Sequence, residues 1–207
     1  MSKPKIGVVV PSGDSVHSKF MVNLVSLFQY SLDKFDMVII NPRSSLIATG
    51  RQMGVDIAVK RGCEYVLFLD SDMVFPYTLL ERLYERGEPV VGATYVKRIL
   101  PTSWNHTELN GTPELGTGLR EVSRLPLGAT LIDLSVLESW QKPYFRCEYP
   151  QEGPEAGMER GEDYYFCDEV RAKGGKVYLD ADLSKSIGHI GTYVHTYHDL
   201  LPEASVN

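Results

Sequence analysis

The chain has 207 residues, with 21 Lys and Arg against 27 Asp and Glu and a net charge of -6. That length supports one domain, 1–207, with a sizeable core. The acidic balance argues against broad nucleic-acid binding while leaving a local basic groove open. Three cysteines, Cys63, Cys147 and Cys167, form no Cys-x-x-Cys pair. They read as reduced thiols in a cytoplasmic setting, not as a disulfide framework or a zinc knuckle.

After a basic start, the apolar run Ile6–Val10 breaks at Pro11-Ser12-Gly13-Asp14; it is a buried strand, too short for a signal peptide or a membrane span. Residues 16–31 place Phe20, Leu24, Leu27, Phe28 and Ser31 on one helical face. Met37–Ile40 is a second strand, ending at Asn41-Pro42. A helix follows over Ile47–Lys60, with Gly62 as its stop. Tyr65–Leu69 is an unbroken apolar strand, then come a helix over Thr78–Arg86 and a strand over Val90–Tyr95. This βαβαβαβ order implies a parallel sheet with right-handed crossovers.

The second half is less regular. Residues 99–124 read as loops or a small hairpin, and Leu127–Leu134 as a strand. Ser135-Val136-Leu137-Glu138 is a capping-box sequence opening a short helix. Residues 141–161, rich in Gly, Pro and Glu, predict a mobile loop. A helix then opens at Gly161-Glu162-Asp163 and stops at Gly174-Gly175, with acidic residues first and Arg171 and Lys173 last, as the helix dipole favours. Lys176–Leu179 is a strand, and a His-containing tail follows, with 192–207 as its end.

The stretch Tyr65-Val66-Leu67-Phe68-Leu69-Asp70-Ser71-Asp72-Met73 carries the most chemistry. A solid apolar run is how a strand covered on both faces reads. At its carboxyl end the chain enters the crevice where open α/β sheets bind ligands. Two carboxylates there repel each other unless a cation joins them. Mg²⁺ or Mn²⁺ takes carboxylate oxygens and shares itself with phosphates, which points to a metal-dependent site for a phosphorylated or nucleotide substrate. The plain alternative is a pair of solvated turn aspartates.

Taken in order, five features resemble the small bacterial and phage nucleotide-sugar glycosyltransferases of the GT-A fold. They are the first strand leading into Pro11-Ser12, Arg51 on the helix before Asp70-Ser71-Asp72, and that motif itself. Gly128-Ala129-Thr130-Leu131-Ile132 comes next, and Gly161-Glu162-Asp163-Tyr164-Tyr165-Phe166-Cys167 with the later Gly188-His189-Ile190-Gly191 completes the set. One departure is Gly50-Arg51-Gln52, where such sequences more often carry Arg-Asn. The resemblance implies an α/β fold with a Rossmann-like, mostly parallel central sheet flanked by helices. It also implies a hexosyltransferase-like transfer of sugar from a nucleotide-diphosphate donor, inverting or retaining.

The resemblance further implies that Asp72 and His189 hold Mn²⁺ or Mg²⁺, with Asp70 reaching toward the metal-bound water or the ribose. Pro11, Ser12, Arg51, Asp70, Ser71 and Gly128 would bind the nucleotide sugar. Asp163, supported by Glu162, would be the general base on the acceptor hydroxyl. The Glu-Asp pair reads equally as a helix-end dipole partner, Arg51 as an exposed helix residue, and Gly128 as a turn glycine. Tyr95, Lys97 and Arg98 follow a strand and line the donor side or plain surface. The acceptor stays open among a glycan, a lipid carrier, a protein and a modified nucleic acid, and so does the oligomeric state. A zinc cluster of His189, His195 and His198 has no suitably spaced thiolate partner. Two rival functions remain: a haloacid-dehalogenase-type phosphatase using Asp70 as nucleophile and Asp72 as acid/base, and a protein that binds nucleotide sugar without transferring it.

Overall fold

Each strand of the first half is a short apolar run closed by turn residues, and together these build the middle of a sheet. The computed structural model describes residues 2–98, 103–153, 155–192 and 194–200. β1 (Lys5–Val9), β2 (Asp36–Ile40) and β3 (Tyr65–Leu69) are parallel, with β1 between the other two. Helices α1 (Ser18–Ser31), α2 (Ile47–Lys60) and α3 (Leu79–Glu85) connect and cover them. The short β4 (Met73–Val74) follows the Asp-x-Asp motif. Beyond it lie β5 (Val90–Gly92), β6 (Leu119–Val122), β7 (Ala129–Asp133), α4 (Glu162–Ala172) and β8 (Val177–Asp180). The seven-stranded sheet has the order β2-β1-β3-β7-β5-β8-β6.

Side chains alternate across β3, and this divides the core in two. Val66 and Phe68 pack on one face with α2 and α4 residues, among them Val55, Ala58 and Phe166. Leu67 and Leu69 pack on the other with Phe20, Leu24, Leu79 and Leu83 of α1 and α3. All four β3 residues are fully buried, each contributing about 1.5–3 kcal/mol by removal from water. The α1 side chains lie four, then three, then four residues apart because only that spacing keeps one stripe against the sheet. Close helix–strand approach needs a glycine at one point: a Cβ on Gly54 of α2 would meet Val9 Cγ1 at 2.3 Å.

The central sheet is mostly parallel and flanked by helices, as expected, but several finer expectations are corrected. The sheet is not wholly parallel: β7 runs antiparallel to both β3 and β5, between which it is inserted, and β6 runs antiparallel to β8. Apolar pattern reports burial, which is the same for either strand direction. The expected strand Val90–Tyr95 ends at Gly92; beyond it the Thr94 N–H is taken by Ser184 Oγ at 3.0 Å. Part of the expected loop region is the edge strand β6, while residues 99–102 lie outside the described set. The short helix is a 3-10 turn over Leu134–Leu137. Its cap is Asp133, which accepts from Ser135 N at 2.9 Å, so the capping box at Ser135 does not form.

The stretch 141–161 is tied down more than its composition predicts. Phe145 is buried, 5.5 Å from the Phe68 ring and 5.2 Å from that of Phe166. Glu148 and Arg160 bridge in antiparallel fashion, and Arg124 and Arg160 both grip Asp168 of α4. After β8 come the single turn α5 (Ala181–Ser184), β9 (Gly188–Ile190) and β10 (Val194–His195). β9 pairs antiparallel with both β4 and β10, making a separate three-stranded sheet. Of the expected tail 192–207, residue 193 and residues 201–207 lie outside the described set. No helix among the described residues is long and apolar enough to cross a membrane.

Candidate functional site

The candidate site forms where β3 ends. After Leu69 the chain turns through Asp70-Ser71-Asp72, with Met73 N–H donating to Asp70 O at 3.1 Å. β4 then pairs with β9 in a register that sets Met73 opposite His189. Ile190 N–H donates to Asp72 O at 2.7 Å, locking the two segments. The consequence is that His189 Nε2 lies 3.5 Å from Asp72 Oδ2.

His189 is itself aimed. Its Nδ1 lies 3.1 Å from the Val96 carbonyl, a partner that can only accept, so Nδ1 carries a proton and Nε2 is the nitrogen turned to Asp72. This is how metal-binding imidazoles are commonly oriented. The Tyr95 ring stands edge-on to His189 at 4.8 Å and fixes the plane. Arg98 Nη1 donates to the same Asp72 oxygen at 2.8 Å. Burial would raise the Asp72 pKa, but His189 and then Arg98 outweigh it and hold the carboxyl below its ordinary range.

Asp70 has a different environment. Arg51 Nη2 lies 3.0 and 3.3 Å from its two oxygens, while Arg51 Nε donates to Glu162 at 2.9 Å. Arg51 is only 2% exposed, so it is not an exposed helix residue. Burial opposes its charge, yet Asp70 and Glu162 more than compensate and hold the guanidinium above its usual range. Burial pushes the Asp70 pKa up by more than Arg51 lowers it, and Asp72 adds to the rise.

Asp163, next to Glu162 on the first turn of α4, has its pKa raised to about 6, first by burial and then by the Glu162 charge. Its Oδ1 accepts from Tyr164 N at 2.8 Å. Burial drives the Tyr95 hydroxyl well above its ordinary value, and the charges of Asp70 and Asp163 add to this. A Cβ on Gly128 would meet Tyr95 Oη at 2.6 Å and Asp70 Oδ2 at 2.8 Å. Gly128 is therefore the gap that lets the tyrosine and the carboxylate share one floor.

A cleft of about 310 Å³ joins most of these groups, lined by Pro11, Ile47, Asp70, Ser71, Asp72, Tyr95, Arg98, Asn105 and His189. Ser12 lies beside it on a larger groove of about 520 Å³ over α1 and the edge strand β2. That groove is apolar, so the smaller, charged cleft is where chemistry belongs. Asn41 donates to Ser12 Oγ at 2.7 Å and to Val10 O at 2.8 Å, shaping the rim. Asn41, Ile47 and Asn105 are not legible as site residues, for a loop amide or an exposed isoleucine at the first position of α2 carries no pattern. Lys97 does not line the cleft.

Among the described residues no group of three or more His, Cys, Asp or Glu is gathered as a metal set. His195 stands opposite His189 in the β9–β10 register, and His198 belongs to the 3-10 turn Tyr197–Leu200. The zinc cluster disfavoured from the sequence is not gathered as such a group among the described residues. The donor set on offer to a hard cation is Asp72 with His189, which leaves most positions for phosphate oxygens and water. Cys167 is no nucleophile candidate, since burial pushes its thiol up to about 12.

No protein-family model and no curated relative matches this sequence. The chain is similar in fold to the solved structure of A197 from STIV, with a TM-score of 0.61 and 21% identity, covering 91% of this chain and 86% of that one.

Proposed function

We propose that this protein is a metal-dependent glycosyltransferase of the GT-A fold, moving a hexose-like sugar from a nucleotide-diphosphate donor to an acceptor. The observation that carries the reading is the facing of Asp72 Oδ2 and His189 Nε2 at 3.5 Å, with His189 Nδ1 already engaged. A divalent cation bound there supplies charge neutralisation for the departing diphosphate.

The chain's own groups complete the chemistry. Pro11 and Ser12, at the end of β1, border the space for the nucleoside, and Ser71 lines the cleft between the two aspartates. Arg51 positions: it holds Asp70 and Glu162 at once, which joins the Asp-x-Asp turn to α4. Asp163 is the general base in an inverting course, and a pKa of about 6 keeps it ionised yet basic at neutral pH. Gly128 clears the floor for the sugar beside Tyr95 and Asp70. In the phosphatase alternative Asp70 is the nucleophile, but both its oxygens lie against Arg51, which weighs against attack on phosphorus.

The test is a thermal-shift panel of nucleoside diphosphates and their sugars with Mn²⁺, followed by assays for transfer and donor hydrolysis. A Mn²⁺-dependent rise in melting temperature, lost in Asp72→Asn and His189→Ala, supports the reading. Ligand-induced stabilisation without transfer or hydrolysis favours a non-catalytic binder. Phosphate release from a simple phosphoester with no sugar donor present favours the phosphatase.

A further inference from the structure

We infer that Arg98 and a divalent cation compete for one oxygen of Asp72, and that Arg98 becomes a contact for the donor diphosphate once the cation takes that oxygen. The inference rests on the metal-dependent reading above. Its origin is one shared atom: Asp72 Oδ2 is the oxygen nearest His189 Nε2, and it also accepts from Arg98 Nη1 at 2.8 Å. A cation within about 2–2.6 Å of that oxygen and of the imidazole would crowd a guanidinium nitrogen already at hydrogen-bond distance. Like charges so close repel, and one must leave.

Arg98 is built to be the one that leaves. Its side chain is 46% exposed, and exposed ion pairs of this kind hold only weakly. It also donates to the Ile190 carbonyl at 3.1 Å, a neutral acceptor. A Cβ on Gly191 would lie 3.2 Å from Arg98 Cδ, so the glycine leaves room for the stem. Arg51, by contrast, is buried and doubly bound.

The destination follows from charge. Arg98 is the only Lys or Arg among the described residues that line the cleft. The departing nucleoside diphosphate carries more negative charge than one divalent cation cancels, and the planar guanidinium fork matches two phosphate oxygens. Before substrate, Arg98 keeps Asp72 paired; with substrate, it is a positioning residue on the diphosphate.

The experiment measures Mn²⁺ binding alone by electron paramagnetic resonance. It then measures, at saturating Mn²⁺, binding of whichever of UDP, GDP, CDP or ADP the wild type takes best. Asp72→Asn serves as control. The expected result is a change of opposite sign in Arg98→Gln: Mn²⁺ alone binds about 3–10-fold tighter, while the diphosphate binds about 10-fold or more weakly. Arg98→Lys keeps the charge but not the fork, and lies between. If Arg98→Gln changes neither affinity, or weakens both together, Arg98 merely supports the loop and the inference falls. If the wild type binds no Mn²⁺ that Asp72→Asn removes, the metal-dependent reading itself fails, and this inference with it.

Discussion

Arg51 and Glu162, 111 residues apart in the chain, are joined by a buried hydrogen bond of 2.9 Å from Nε to Oε1. The same guanidinium holds Asp70, so one α2 side chain connects the turn after β3 to the first turn of α4. It also lies over the Phe68 ring, 5.2 Å from the centroid. One positive and two negative groups, from three elements, thereby meet within one small volume.

Removing one member of such a buried set leaves charge uncompensated, at a cost of about 3–5 kcal/mol. Arg51→Met should lower the unfolding free energy by that amount in urea titration at neutral pH, and diminish turnover as Asp70 and α4 drift apart. A loss below about 1 kcal/mol would show that Asp70 and Glu162 find solvent without Arg51, and that the linkage is dispensable.

Asp163 ties stability to activity. Its pKa rises from 3.8 to about 6 on folding, so between those values the native state binds more protons than the unfolded one. This contribution therefore falls as pH rises through that window, and its full cost is present above about 6. Asp163→Asn should stabilise the fold by roughly 1–3 kcal/mol at pH 7.5 and by little at pH 3.5. Turnover should fall by about 10²-fold or more, with donor affinity within a few fold. In the wild type, rate should rise with pH through about 6. A variant at full activity would leave Asp163 as a helix-end residue only.

Gly128 offers a test of the shared floor. Gly128→Ala puts a methyl group 2.6 Å from Tyr95 Oη and 2.8 Å from Asp70 Oδ2, contacts that force one of them aside. Nucleotide-sugar affinity should drop by about 10-fold or more, while affinity for the nucleoside diphosphate alone changes less. Calorimetric titration of both ligands separates the two, and equal losses would place the sugar elsewhere.

The stretch 141–161 yields a prediction shaped by its anchors. Phe145 packs between Phe68 and Phe166, and Arg124 and Arg160 tie the stretch to α4 through Asp168. Limited proteolysis should cut only within 149–158, beyond the Glu148–Arg160 bridge. Nucleotide sugar with Mn²⁺ should slow that cut if the segment closes over the cleft. Phe145→Ala should cost about 3–5 kcal/mol and open the whole stretch to cleavage. Cleavage near Phe145 in the wild type would mean the anchors do not hold.

Much of the fold was open to reading because burial is written locally. The bounds of α2, Ile47–Lys60, are those predicted, since an apolar stripe and the left-handed Gly62 (φ +70°) mark its face and its end. β3 read as a doubly covered strand because all its residues past Tyr65 face the core. Asp70, Asp72, Glu162 and Asp163 stood out by their position at the ends of such elements. Strand direction left no such trace: β7 is buried like its neighbours β3 and β5, and only its hydrogen-bond ladder shows it reversed. Likewise the capping box at Ser135 lost to Asp133, because a carboxylate two residues earlier reached the free N–H first.

What sequence alone determined, then, is which residues are core and which carboxylates stand at strand and helix ends, since these depend on periods of two and of 3.6 residues along one segment. What the tertiary structure decided is who meets whom. His189 reaches Asp72 only because β4 and β9 pair in one register, and Arg51 meets Glu162 only because α2 and α4 cover the same face of the sheet. A one-residue slip between β4 and β9 would turn the His189 ring to the opposite face, with no change in any pattern that the chain displays.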